Sequence, residues 1–444
     1  MSDSCELNPD LACGVDSEAL LSWEERRRGP EGRFPGIFDR RPNMAKRFKQ
    51  SDWDKIHKLA KKSANTLGLP VRRKNSVVLG TFNICEFGTR KSRPDPAWDF
   101  LEMTCKRFDL MAVQEVGDNL EAIRYLKERL GKKYGMVVSD VTGVYPGDRG
   151  NAERLAFLFR WDRIQRTELA SDVTHDRTKV VKTLVDHRDD FVVSWDAFED
   201  AREAWEEAQA PDWLGDEVPP EPALTVPRFL TFIRQPHCAS FQIKPRGEAE
   251  SVEFLGVNAH LLYGEDAEER KQEFDALIHW LMIRAKKKEY LYHKNLLMMG
   301  DCNLELKSAE AKRKEIDDDL KALNKKVLKS KKAAKVNFPL LTPHPKHGEL
   351  KTNARQDQTY DQIAIFAHDK RLPTSDDNKK AGTGGKDAYD YGVFRFTDLF
   401  ARAIHDGDFK DLSESKQKDL FARSKADVSD HMPAWFRLPV PGAD

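Results

Sequence analysis

An α/β fold is what this sequence predicts, on three observations. From Val77 onward, apolar runs of strand length alternate with longer segments whose apolar residues recur every three to four positions. Short acidic, amide and histidine motifs sit where those apolar runs end: FNICEFG (82–88), AVQEV (112–116), ERLAFLF (153–159), NAHL (258–261), MGDCN (299–303), TYDQIAIF (359–366) and VSDHMP (428–433). The 444 residues are enough for one large α/β domain with additions, or for two domains. Because strand ends deliver polar side chains into a common crevice, the order of these motifs points to an enzyme.

Residues 1–74 are polar, Arg-rich and punctuated by Gly and Pro, and read as an extension open to a protein partner, with one helix starting at a Ser51 N-cap and carrying Trp53, Ile56, Leu59 and Ala60. The catalytic domain then spans 75–440. VVLGTFN is a buried strand, Trp98 to Phe108 a helix, Asp109 to Gln114 a strand and Leu120 to Leu130 a helix. Further strands are expected near 134–139, 154–160, 228–234, 238–243, 252–259, 295–299, 360–366 and 433–437, with a helix from Ala267 to about Lys287.

Charge is local rather than global. Lys and Arg number 74 and so do Asp and Glu, so the average predicts neither nucleic-acid nor membrane binding. Two insertions break that balance. The first, 195–222, carries ten acidic residues against one Arg, with Trp195, Phe198, Ala201 and Trp205 at helical spacing, and reads as a solvated acidic helix docked by its aromatic stripe. The second, 306–336, ends in KALNKKVLKSKKAAK, with seven lysines and no acid: a footprint for phosphate backbones or a solvated lysine helix, and its position after MGDCN favours the former. No apolar stretch approaches the roughly 18 residues of a membrane helix, the start MSDSCELNPD lacks signal-peptide regions, and six cysteines are scattered without CxxC spacing, so a cytosolic chain with buried thiols is expected.

The strand-end residues suit phosphodiester hydrolysis, which needs a hard cation, a base to activate water and donors for phosphate oxygens. Glu115 ends DLMAVQE and is the leading magnesium ligand; Asn83 ends VVLGTFN; Asp301 and Asn303, two apart after LLMMG, point the same way in an extended segment. His260 closes VEFLGVNAH, and His431 follows Asp430 before the last apolar run. A histidine trades protons near neutral pH when a carboxylate fixes its tautomer, and Glu153 and Asp361 are available for that.

Read in order, these segments resemble the endonuclease/exonuclease/phosphatase superfamily, most closely its deoxyribonuclease I branch. TFNICEFG looks like its first strand and turn, DLMAVQEV its metal-glutamate strand, ERLAFLFR its third motif, RQPHCASF its arginine loop and SDHMP its terminal signature. The resemblance covers about 77–437 outside the insertions. It implies a four-layer sandwich of two facing mixed sheets flanked by helices. It further implies that Asn83, Glu115, Asp301 and Asn303 bind metal or phosphate, that His260 with Glu153 and His431 with Asp361 form two carboxylate-tuned imidazoles, that Asp430 is a further ligand or base, and that Arg234 grips a phosphate.

The departures are informative. Where relatives more often carry an acid two residues after the first Asn, this chain has Cys85; Gly117 and Asn151 stand where the branch has an arginine and a tyrosine for reading the minor groove. The branch's calcium sites find no identifiable positions. Lys325, Lys326, Lys329 and Lys332 would then supply backbone-dominated contacts to nucleic acid. The expected function is a magnesium- or manganese-dependent nuclease acting on DNA, with a phosphatase or phosphodiesterase of inositol or lipid phosphates as the alternative and a non-catalytic nucleic-acid scaffold as the second.

Overall fold

The computed structural model describes residues 46–143, 152–173, 176–210, 213, 215, 218–220, 222, 224–264, 267–286, 292–304, 318, 322, 325, 334–385 and 389–442. Among the described residues twelve strands form two six-stranded sheets: β11-β12-β1-β2-β4-β3 and β5-β6-β7-β8-β10-β9. The first contains β1 (Ser76–Phe87), β2 (Leu110–Gly117), β3 (Tyr134–Val138), β4 (Glu153–Arg160), β11 (Asp390–Val393) and β12 (Ala434–Pro439). The second contains β5 (Ile164–Asp172), β6 (His237–Ile243), β7 (Val252–His260), β8 (Asn295–Asp301), β9 (Lys335–Asn337) and β10 (Asp361–Ala367). One parallel pair lies in each sheet, β1 with β2 and β7 with β8, and every other pairing is antiparallel, so both sheets are mixed.

The central strands are apolar on both faces because both are covered. In β8 and β10, Leu297, Met299, Ile363 and Ile365 join the core shared with the first sheet. Their neighbours Leu296, Met298, Ala364 and Phe366 pack instead with Phe274, Leu277, Ile278, Leu281 and Met282 of the helix Ala267–Ala285. That alternation is the two-residue period of a strand between two layers. Helices α1 (Gln50–Ser63), α2 (Asp95–Cys105) and α3 (Glu121–Leu130) belong with the first sheet, α4 (Arg177–Asp186) and α5 (Arg188–Glu207) follow β5, α6 is Ala267–Ala285, and α7 (Phe396–His405) and α8 (Glu414–Asp427) return to the first sheet. The four-layer α/β sandwich is thus the observed architecture.

Several expectations change. Residues from Lys46 on are part of the domain: Phe48, Trp53, Ile56, Ala60 and Leu67 are buried in its core, and the compact unit begins at Met44, so the boundary expected at 75 moves upstream. Ser51 lies inside α1, whose N-cap is Lys49, with Asp52 closing the capping box. The strand expected at 228–234 is irregular: β5 pairs along β6, and Val173 N donates to Pro236 O where the two strands part. In α5 no residue is buried, and Trp195 is 46% exposed, so the aromatic stripe covers little. Of the lysine insertion, Lys325 is described as an exposed helical residue and Lys335 as an exposed residue of β9, so the helix expected to 336 ends before Lys335; Lys326, Lys329 and Lys332 lie outside the described residues, as does Asn151. Among the described residues no helix is long and apolar enough to cross a membrane.

Candidate active site

Three neighbouring strands of the second sheet end level with one another. The register sets His260 of β7 opposite Asp301 of β8, and Asp301 opposite Asp361 of β10. No side chain fits at Gly300, where a Cβ would lie 2.0 Å from Ala259 O, so β8 runs flush against β7 and holds Asp301 beside His260. Across the core, β1 and β2 present Asn83 and Gln114 at one register position. Asn83 Nδ2 donates to Asp301 Oδ2 at 3.0 Å and to Glu115 Oε1 at 2.9 Å, joining the two sheets at the site. One layer deeper, Gln114 Nε2 donates to Asn258 Oδ1 at 2.6 Å, and Asn258 Nδ2 donates to Val113 O and Ala156 O.

Two imidazoles close on Asp301. His260 Nε2 lies 3.7 Å and His431 Nε2 3.5 Å from Asp301 Oδ2. Each ring's other nitrogen faces a carboxylate: His260 Nδ1 meets Glu153 Oε1, and His431 Nδ1 lies 2.9 Å from Asp361 Oδ2. The pairings expected from sequence are therefore the ones found, and all four side chains are buried. Asp301, Asp361 and Asp430 hold the His431 imidazole well above the usual histidine range, outweighing the opposing effect of burial.

The carboxylates are crowded. Burial pushes the Glu115 carboxyl up, and so do the nearby charges of Glu153 and Asp430. Burial also opposes the charged form of Asp430, yet its carboxyl is held below the usual range by His431 and by Lys425, whose Nζ donates to Asp430 Oδ2 at 2.6 Å. Asn83 Oδ1, Glu153 Oε2, Asp361 Oδ1 and Asp430 Oδ1 are buried without a hydrogen-bond partner. Backbone strain gathers here too: Glu86, Glu115 and Asn303 have φ of 48°, 58° and 48°, the left-handed region. Glu86 N uses that turn to donate to Glu115 Oε2 at 2.7 Å.

A hard divalent cation fits this donor set. Unpartnered amide and carboxylate oxygens and mutually repelling carboxylates are what such an ion satisfies. Among the described residues no three His, Cys, Asp or Glu form a ready cage. Magnesium does not ask for one, since it keeps waters and takes one or two carboxylates plus substrate phosphate.

Two expected residues sit differently. Arg234 is fully buried: its Nε lies 3.1 Å from Glu153 Oε1 and its Nη1 donates to Leu261 O at 2.9 Å. It holds the Glu153–His260 pair from behind rather than facing the crevice. Asn303 turns its Nδ2 to Leu261 O at 2.9 Å, while its backbone N–H donates to Asp301 Oδ1 at 3.0 Å.

Some supporting residues escaped the sequence reading. Ser429 Oγ donates to Asn83 O at 2.7 Å and accepts from His431 N at 3.0 Å, tying β1 to the terminal motif. Buried Glu273 of α6 accepts from Ile233 N at 2.7 Å and from Leu262 N, fixing the loops on either side of Arg234 and His260. Thr352 Oγ1 accepts from Asp361 N at 3.0 Å. Only Ser429 carried a signal, its place inside SDHMP.

No family model matches the chain, and no curated protein does. Solved structures similar to it include a humanized D. rerio TDP2 with 14 mutations, at 11% identity over 82% of this chain and 98% of that one, with TM-score 0.41. The human nocturnin catalytic domain with bound sulfate is similar at 10% identity, 82% and 96% coverage and TM-score 0.39. An endonuclease/exonuclease/phosphatase family protein from Bacteroides thetaiotaomicron is similar at 13% identity, 82% and 98% coverage and TM-score 0.39.

Proposed function

We propose that this chain is a divalent-cation-dependent phosphodiesterase that cuts nucleic acid, with DNA as its substrate. The observation that carries the reading is the meeting of two carboxylate-backed imidazoles on Asp301, beside the Asn83–Glu115 pair. Glu115, Asp301 and Asn83 Oδ1 would hold the ion, with Asp430 at the rim. Once bound, a magnesium-type ion neutralises charge developing on the phosphate.

The remaining work falls to the side chains. His260, its tautomer fixed by Glu153, accepts a proton at Nε2 from the water that attacks phosphorus. His431, held as the cation, donates its Nε2 proton to the leaving oxygen as the phosphorus–oxygen bond breaks. Asp301 lies within reach of both rings and keeps them aimed at the same point. The seven lysines between 321 and 335 are the sequence feature that favours nucleic acid over inositol or lipid phosphates.

The test is a parallel assay of purified protein on duplex DNA, single-stranded DNA, RNA and an inositol polyphosphate, each with magnesium, manganese or EDTA. Cleavage of DNA that EDTA abolishes is expected. Undiminished cleavage in EDTA removes the metal, and preference for the inositol polyphosphate removes nucleic acid. Reversing Lys325, Lys326, Lys329 and Lys332 to Glu should raise KM for long DNA and flatten its salt dependence, while turnover of a small chromogenic phosphodiester stays unchanged.

A further inference from the structure

We propose that the Lys425 ammonium stands in for a second cation in the acidic crevice, so that the site takes a single divalent ion on its Asn83, Glu115 and Asp301 side. This inference rests on the crevice being a divalent-ion site and deepens that reading by fixing the number of ions and naming the residue that limits it.

Lys425 lies in the last turn of α8, which leads into the SDHMP segment, and its Nζ is 2.6 Å from Asp430 Oδ2. Because Asp430 directly precedes His431, the contact sets the ammonium at the rim of the crevice. Cys85 belongs to the same corner: it lies two residues beyond Asn83 in β1, its backbone N–H donates to Ser429 Oγ, and Asp430, Glu115 and Glu86 surround it. A thiol adds no fixed charge there, whereas a carboxylate would have added one.

The charges around Asp301 can then be matched in turn. Glu153 is shared by Arg234 and His260, and Asp361 is opposed by His431. With Glu86 exposed to solvent, that leaves Glu115, Asp301 and Asp430 inside the crevice. Lys425 takes Asp430, and the two carboxylates that remain, Glu115 and Asp301, are joined by the Asn83 amide. Bridged by one amide, those two carboxylates offer a divalent ion a single place. A second ion beside Asp430 would have to displace a tethered ammonium whose three donors and compact charge suit that carboxylate.

The experiment counts manganese bound to the purified full chain without substrate, by electron paramagnetic resonance of the free ion and by calorimetry. Wild-type protein should bind one ion per chain. Lys425→Met, which keeps the aliphatic stem and removes the charge, should bind two, while Lys425→Arg should bind one. Adding Asp430→Asn to Lys425→Met should return the count to one. The Lys425 side chain is 45% exposed, so these replacements place little burden on folding. Two ions in the wild type, or one in Lys425→Met, overturns the proposal while leaving the metal-dependent reading in place. No manganese bound to the wild type overturns both.

Discussion

The two imidazole pairs are built from opposite halves of the sandwich. His260 comes from the second sheet and finds its carboxylate, Glu153, on the first; His431 precedes the first sheet's β12 and finds Asp361 on the second. Their surroundings differ more than their geometry. Glu153 gives the same oxygen, Oε1, to Arg234 and to His260, so its charge is divided. Among the described residues Asp361 has no such cation behind it; its backbone N–H donates to Thr352 Oγ1, and while Asp301 faces both rings, Asp430 adds negative charge around His431. Two rings of like geometry thus receive different fields, which is how one pair can supply the acid and the other the base.

The sharpest way to break this comparison is to remove the cation from one side. Arg234→Met leaves Glu153 buried without its guanidinium and should lower unfolding free energy by about 3–5 kcal/mol, read by chemical denaturation. A loss under about 1 kcal/mol would mean the pair is solvated and the asymmetry unimportant. Next in size, His260→Ala and His431→Ala should each reduce kcat on the order of 10²-fold or more, the range for a positioned acid or base. Near-normal turnover in either variant removes that ring from the chemistry.

The carboxylate variants should separate the halves more finely. Asp361→Asn is expected to cost roughly tenfold in kcat, less than its histidine, because it tunes the proton donor without transferring a proton. Glu153→Gln should register first as lost stability, since it strands Arg234 in the core as well as freeing His260. Equal effects of the two on melting and on turnover would make the pairs interchangeable.

The smallest effect is on pH dependence. The folded state raises the His431 value, so in EDTA-treated protein its stabilising contribution is fully present below the unfolded histidine value of about 6.5 and is lost as pH rises through the raised folded value. His431→Gln should therefore melt below wild type by the widest margin under about pH 6.5, and the gap should close at alkaline pH. A margin that stays constant with pH would show that the ring is not held as a cation.

The site was legible where strand ends carry it. Asn83, Glu115, Glu153, His260, Asp301, Asp361 and His431 each close or adjoin an apolar run, and a run that ends in a polar residue marks a sheet edge facing water or a crevice. Arg234 misled because a lone arginine in a loop says nothing about which side of the sheet it enters. β5 went unread because its sequence, IQRTELASD, buries only Ile164 and shows no apolar alternation. α8 hid for the same reason, with Leu420, Ser424 and Asp427 as its buried residues. Ser429, Glu273 and Gln114 act through hydrogen bonds to elements far away in sequence, and no local period encodes those.

The crossing of both pairs between sheets has a consequence for how the molecule comes into being. During synthesis the first sheet cannot be completed until β12 reaches β1, and His431 arrives only just before β12. Until then His260 can meet Glu153, yet Asp361 has no ring and Asp301 only one. On the mechanism proposed above, a growing or half-folded chain would be inert, and hydrolytic competence would begin with closure of the last strand. An enzyme able to cut a cell's own polymers would gain from a catalytic centre that cannot form before the fold around it is whole.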